Sequence, residues 1–433
     1  MDKRRFIVSC TSIAAASALP ACATVAMTFN RKPVSEHPFY RYLKDNDLRF
    51  AEKGANQLDI ENADFAGESF INGKWHNFNF INCHFPTGYS IQQKETTHCQ
   101  FNDCDFGPGS DMAILDLGRT ANIDFIGCRF INGNVGYGPG KARFIACRFN
   151  NTVTKGMNDA YYFIGGDDIE VIDCAIKDFK MSPETRMYMK NCDYKGLGYG
   201  ISGSLGARGE YITDYIIEDS RIRVAEIILW GGKIKSLTLR GAAVDGTFAT
   251  QRCEICDSII MENLKIGTYW IAQTGTKKKI VVKNCSFSEV NKKTTHLLTC
   301  AGGYAIDFFM DYVECTNSGG CDLTGAGPAL KTKESFRLAE TRNQTFTLRN
   351  CKIPILYINW LQTYNLLIEN CEIGQFDLKQ GRIGNIVIRN TKFDMLDLTN
   401  TLATNYDIDP TSLASGQIIT TGSNFPAGGY PIK

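Results

Sequence analysis

Apolar and polar positions in this chain are ordered by a short phrase that returns roughly once every 20 to 25 residues. It reads apolar-x-apolar-x-(Asn/Asp)-Cys-x-(Phe/Ile). Clear copies are F-N-F-I-N-C-H-F at 78–85, F-T-L-R-N-C-K-I at 346–353 and L-L-I-E-N-C-E-I at 366–373. A period of that length around a fixed corner marks a solenoid, in which each coil buries its apolar face only by stacking on its neighbours.

The cysteine slot serves as the marker. It is filled by Ala63, Cys83, Cys104, Cys128, Cys147, Cys174, Cys192, Ser220, Ala242, Leu264, Cys285, Cys315, Cys351, Cys371 and Thr391. All but Leu264 are small, as an inward slot in a narrow coil requires. Two places on sits an apolar residue, from Phe65 and Phe85 to Ile373 and Phe393; the copy at Cys315 breaks this with Asn317. Before the slot stands Asn, Asp or Gly in 13 of 15 copies, the types that best tolerate a tight corner or positive φ. Upstream pairs such as Ile169/Val171 and Tyr215/Ile217 alternate as half-buried strands do. The parity then shifts by one across the corner. Strand, corner, strand is the reading for every copy.

These coils predict an all-β fold, a single-stranded right-handed parallel β-helix of about 15 coils. At about 4.8 Å per rung the rod is on the order of 70 Å long. A β-sandwich would instead show hairpin turns and no fixed corner. The predicted divisions are 1–21 as a signal, 22–56 as a lipidated N-terminus and cap, 57–400 as the β-helix and 401–433 as a C-terminal cap or tail. Within 38–53, Phe39, Tyr42, Leu43 and Phe50 share one helical face, which predicts a short cap helix over the first coil. After Leu398 the apolar pattern stops.

The pattern resembles the right-handed β-helix superfamily that includes pectate lyases, polygalacturonases and phage tailspikes, whose coils often stack an Asn at one corner. The resemblance spans roughly 60–400 and concerns architecture, not a site. Both ends also resemble pentapeptide-repeat proteins: Ile60, Phe65, Phe70, Trp75, Phe80 and Phe85 recur every five residues, as do Ile368, Ile373, Leu378, Ile383, Ile388, Phe393 and Leu398. The middle coils vary from 18 to 36 residues and do not.

Lys3, Arg4 and Arg5 precede an apolar stretch from Phe6 to Leu19, too short for a stable membrane span, so 1–22 reads as an export signal. Leu19-Pro20-Ala21-Cys22 resembles a bacterial lipobox. That resemblance implies acylation of Cys22, an anchor in the lipid bilayer and, with Ala23 following, the outer membrane of a Gram-negative bacterium. An ordinary cleaved signal is the alternative. Lys3-Arg4-Arg5-Phe6-Ile7 is similar to a twin-arginine signal, and the export route stays open.

The whole chain has 47 basic and 46 acidic residues; removing 1–21 takes three and one of these, leaving 44 against 45. Net charge therefore points to no nucleic-acid partner. Of 17 cysteines, ten occupy the inward slot as small apolar residues. Cys253-x-x-Cys256 has metal or redox spacing but no second pair and no nearby His, and no metal or cofactor is expected. Cys315 and Cys321, around a glycine-containing loop, are the best-placed pair for a disulfide.

Function in such folds lies in loops and on one strand face. The long intervals near 150–165, 195–210, 288–311 and 316–345 mark the loops. On the strand after the corner, the residue six places past the slot should face out between inward neighbours. That gives Glu226, Trp270, Tyr357, Asp377 and Asp397, a column suited to sugar binding. No catalytic constellation is evident. Gly166-Asp167-Asp168 resembles the paired-Asp motif of polygalacturonases, so Asp167, Asp168 and Glu226 are the candidate carboxylates for hydrolysis. The Gly-His-Gly element of that family is missing. Lys233, Lys235, Arg240 and Lys379 are the cations a lyase could use. Two readings remain: a non-catalytic binding or structural lipoprotein directed at polysaccharide or a surface protein, and a polysaccharide lyase or glycoside hydrolase.

Overall fold

The computed structural model describes residues 31–45, 58–66, 73–86, 93–107, 113–116, 119–132, 134–136, 140–150, 162–177, 179–195, 212–230, 233–251, 254–272, 277–288, 296–301, 305–316, 320–324 and 344–426. It is an all-β parallel solenoid. Every strand pairing among these residues is parallel, and each strand pairs with its counterpart one coil away.

The corner works as its residue types dictate. Asn62, Asn82, Asp103, Asp173, Asn191, Asp219, Asn263, Asn284, Asn350, Asn370 and Asn390 all sit at positive φ, between 44° and 57°. Asn tolerates that region because its short polar side chain bonds locally. Here it also bonds along the rod. Asn82 Nδ2 donates to Asn62 Oδ1 at 2.6 Å, Asn284 to Asn263 at 3.0 Å and Asn390 to Asn370 at 3.0 Å. Where Asp stands in one coil, glycine can follow in the next. A Cβ on Gly127 would lie 2.3 Å from Asp103 Oδ1, and one on Gly241 2.3 Å from Asp219 Oδ1.

The slot shows why cysteine recurs. Its thiols are buried and donate to carbonyls one coil back: Cys83 to Ile60 at 3.2 Å, Cys104 to Phe80 at 3.3 Å, Cys128 to Phe101 at 3.1 Å. Ser220 fills the same place with a hydroxyl, donating to Glu218 O and accepting from Cys192 N. A small side chain with a donor suits this position better than a purely apolar one. The cysteines whose side chains are described form no disulfide, and burial pushes the Cys99 thiol up to about 12 and that of Cys285 up to about 11.

One copy departs from the predicted alignment. Cys285 pairs with Val313 and Phe287 with Cys315, so Val313 fills the slot and Cys315 the apolar position two places on. The missing apolar residue at Asn317 came from a register two residues out. The corner is Tyr312, at φ 51° and 60% exposed. A phenol cannot join the amide column, and Asn350 reaches past it to Asp311 Oδ1 at 2.8 Å.

Inside the early coils run two columns of phenylalanine. Phe80, Phe101, Phe125 and Phe144 stack at 4.8–4.9 Å between ring centroids. Phe65, Phe85, Phe106, Phe130 and Phe149 stack at 4.3–4.9 Å, and the two columns meet edge to face. The first column continues as Val171, Met189, Ile217, Leu239 and onward to Ile368 and Ile388. The five-residue spacing holds at both ends: all of its described members, from Ile60 to Phe85 and from Ile368 to Leu398, are buried.

About 11 turns are described, modestly fewer than the 15 copies of the phrase, several arcs between corners lying outside the described residues. Strand also continues beyond 400. Leu402–Ile408 and Gln417–Ile419 each stack on the coil before. Thr401 and Ala403 fill inward positions there, which hid the period from an apolar count.

The ends are closed by side chains standing in for a missing rung. At the C-terminal end, Ser412 Oγ accepts from Thr391 N, Asp409 Oδ2 from Asn390 N, and Ser415 Oγ from Phe393 N. Asn424 accepts from Ala403 N through Oδ1 and donates Nδ2 to Ala403 O, and Phe425 packs edge-on to Tyr406. At the other end, Lys32–Pro33 pairs with Ala63–Asp64. The predicted cap helix is described over Tyr40–Asp45, with Leu43 buried; residues 46–53 lie outside the described set.

Candidate functional site

The strand after the corner supplies the predicted column, and register decides its membership. Trp270 pairs with Thr299, Thr299 with Asp322, Asp322 with Tyr357, Tyr357 with Asp377 and Asp377 with Asp397. Four of the five predicted residues therefore share one column, joined by Thr299 and Asp322. Glu226 does not. It pairs with Thr247, and Thr247 with Thr268, two positions before Trp270. The strands Arg221–Trp230 and Ala243–Gln251 each slip register just after the corner, so six places past the slot is not one column in these coils. The side chains of Glu226 and Trp270 lie outside the described residues.

Asp377 and Asp397 do not face open solvent as expected. They are only 4% and 7% exposed. Alternation puts them on the opposite side of the strand from Phe376 and Leu378 or Leu396 and Leu398, but polar neighbours cover them. Lys379 Nζ lies 2.9 Å from Asp377 Oδ2 and 3.1 Å from Asp397 Oδ2. Gln375 Nε2 donates to Asp377 Oδ1 at 3.2 Å, and Thr399 donates both N–H and hydroxyl to Asp397 Oδ1. Tyr357, one coil before Asp377, is half-buried.

The electrostatics follow. Burial pushes the Asp397 carboxyl up, but the hydrogen bonds from Thr399 and the Lys379 ammonium more than offset it, leaving it below its ordinary value. Lys379 is held above its ordinary value, first by its bond to Asp377. An ammonium stabilised in this way is a poor general base, and a carboxyl kept ionised is a poor general acid. Carboxylates one rung apart, at about 5 Å, have the spacing that retaining glycosidases use. Here the lysine occupies the space between them.

Asp168 lies in the strand Tyr162–Ile172, with Arg186 Nη1 3.0 Å from its Oδ1. Register puts Lys141, Asp168, Arg186 and Asp214 in one column of alternating sign. Thr185 donates to the backbone carbonyl of Asp167. Among the lyase candidates, Lys235 lies 3.4 Å from Asp214, and Arg240 contacts Glu262 at 2.9 Å and Glu218 at 3.6 Å; the Lys233 side chain is outside the described set. The two Asp residues, the Asp377–Asp397 column and Glu226 thus stand in different coils and are not brought together.

Lys379 entered the sequence reading only as a lyase cation, while Thr299, Asp322, Gln375 and Thr399 were not singled out. The signal for part of this group was the repeated Asp-Leu-Lys at 377–379 and Asp-Leu-Thr at 397–399. Cys22, residues 1–21 and Cys253 lie outside the described residues, as does the side chain of Cys256. Among the described residues no group of three or more His, Cys, Asp or Glu is placed to hold a metal ion. No protein-family model, curated protein or solved structure gives a match to this chain.

Proposed function

We propose that this chain is an exported, membrane-anchored β-helix lipoprotein that acts as a binding or structural module, with polysaccharide as its ligand class. In this reading the helix is right-handed, of the pectate-lyase-like kind, and Cys22 carries the acyl anchor in the outer membrane of a Gram-negative bacterium. The rod then holds its loops and its Trp270–Tyr357 face away from the bilayer. No described helix is long and apolar enough to cross a membrane.

The observation that favours presentation over catalysis is the state of three described carboxylates, Asp168 among the catalytic candidates and Asp377 and Asp397 in the column. Asp377 and Asp397 share Lys379, and Asp168 is tied to Arg186. A hydrolase needs one carboxyl able to hold a proton and a partner open to the bond being cut. Each of these three is instead engaged by a cation.

The test is to incubate the chain from Ala23 onward with a panel of acidic and neutral polysaccharides. New unsaturated ends, new reducing ends and bound glycan are followed in the same samples. Binding without cleavage is the expected result. Cleavage of any polymer would establish the polysaccharide lyase or glycoside hydrolase reading and make Asp167, Asp168 and Glu226 the first substitutions. Neither binding nor cleavage would turn the search to a surface protein as partner.

A further inference from the structure

The coil whose corner is Tyr312 differs from its neighbours at a second place. In four neighbouring coils the position two past the slot and the next inward position on the following strand are buried on either side of the same bend. These are Phe287 and Leu298, Ile353 and Leu356, Ile373 and Phe376, Phe393 and Leu396. In the Tyr312 coil, Cys315 pairs with Phe287, and Cys321 pairs with Leu298 and Leu356. The two cysteines therefore replace an apolar pair. Both are buried, and their Sγ atoms are 3.4 Å apart, reduced. The slot thiols, by contrast, are directed at carbonyls one coil back. The approach is held by Gly320, where a Cβ would lie 2.3 Å from Ile355 O, so only glycine lets the strand Gly320–Asp322 sit this close to the next coil.

We propose that Cys315 and Cys321 are a redox staple that closes this bend as an intrachain disulfide when the chain meets a disulfide oxidant. One Sγ, as thiolate, attacks a sulfur of the oxidant and expels one of its thiolates. The second Sγ then attacks the mixed disulfide and expels the other. Two protein thiols are oxidised, the oxidant is reduced to two thiols, and the two protons pass to the expelled thiolates. Moving the sulfurs from 3.4 Å to bonding distance asks for little more than side-chain rotation. The staple reinforces the coil whose corner is Tyr312, at the root of the long interval before Gln344.

The full chain, purified reduced in detergent, is incubated with oxidised glutathione and then denatured without reductant. Free thiols are alkylated, and peptides are mapped by mass. The expected product joins Cys315 to Cys321 with the loss of two hydrogens, while Cys83, Cys104, Cys128 and Cys147 are alkylated. The oxidised chain melts higher than the reduced by about 2 °C or more, and Cys321→Ser abolishes that difference. Cys321→Val, which restores an apolar pair, does the same while keeping the packing, so a folding defect in the serine variant cannot mimic the result. Full alkylation of both cysteines after oxidation, or crosslinks spread over the slot thiols, would overturn the proposal.

Discussion

The coils at 73–150 and those at 344–408 build the same rungs from different materials. The early coils are aromatic inside, with two columns of phenylalanine stacked ring on ring. The late coils put aliphatic residues in most of those positions. Outside, the contrast reverses. The residue just before the corner is Ile81, Asn102, Ile126 and Ile145 in the early coils, and Ile172 in the coil that follows them. From Lys190 onward it alternates in sign: Glu218, Arg240, Glu262, Lys283, Asp311, Arg349, Glu369 and Arg389. Several of these are ion pairs, among them Arg349–Glu369 at 2.7 Å. Across the corner the late coils alternate again, with Glu314, Lys352, Glu372 and Lys392.

A parallel stack of near-identical coils has a register problem, because a strand shifted by two residues still presents its apolar face inward. Stacked rings resist that shift through shape, since a large flat side chain fits only over another. Branched aliphatic chains discriminate less, and alternating charge supplies the missing preference: a slipped rung loses the opposite-charge pairing that the native register provides.

The largest expected effect breaks the aromatic side of the contrast. Phe125→Ala removes a ring stacked between Phe101 and Phe144 and should cost about 3–5 kcal/mol, read by urea unfolding. Ile368→Val at the matching place in the late coils should cost about 1 kcal/mol. Equal losses from Phe125→Leu and Ile368→Val would show that stacking adds nothing beyond burial.

The corner comes next. Gly127→Ala forces a Cβ into the carboxylate of Asp103 at a positive φ, and should destabilise by about 1–2 kcal/mol. Combining it with Asp103→Gly should recover part of that loss in a double-mutant cycle.

Charge reversal tests the outer column. Glu369→Lys places three cations in successive rungs, Arg349, the new ammonium at position 369 and Arg389, and should cost about 1 kcal/mol at low salt. The loss should shrink at about 1 M salt. The same change at Ile145 in the early coils should show much weaker salt dependence.

The smallest effect is on pH. Asp105 in the early coils and Asp397 in the late ones both lie below the ordinary carboxylate value. In each, burial raises the group and is outweighed, by Arg129 and Arg31 for Asp105 and by Thr399 and Lys379 for Asp397. A depressed folded value means the stabilisation is present above the unfolded value and lost as pH falls through the folded one. Stability should therefore drop below about pH 4, with a shallower drop in Asp397→Asn. An unchanged acid profile in that variant would remove Asp397 from the account.

The repeat was legible because its parts are local. A residue at positive φ, a compact side chain after it that most often bears a donor, and an apolar residue two places on are demands met within one coil's own sequence, so Asn82-Cys83-x-Phe85 announces itself. The column of candidate binding residues was half legible. Trp270, Tyr357, Asp377 and Asp397 align because their strands hold register from one coil to the next, whereas the slips after Arg223 and Val244 carried Glu226 out. Cover was not legible at all: Asp377 looked exposed by alternation, yet it is buried, with Lys379 and Gln375, each two residues away, bonded to it.

Chain chemistry alone thus determined that this protein is a parallel β-solenoid with an amide corner and a thiol slot, since both follow from single-residue size and backbone preference. Stacking decided the rest. Which residue of each coil meets which in the next depends on bulges and on the length of every arc. That is why Val313 rather than Cys315 fills the slot, why Cys315 meets Cys321 across the bend, and why two aspartates share one lysine.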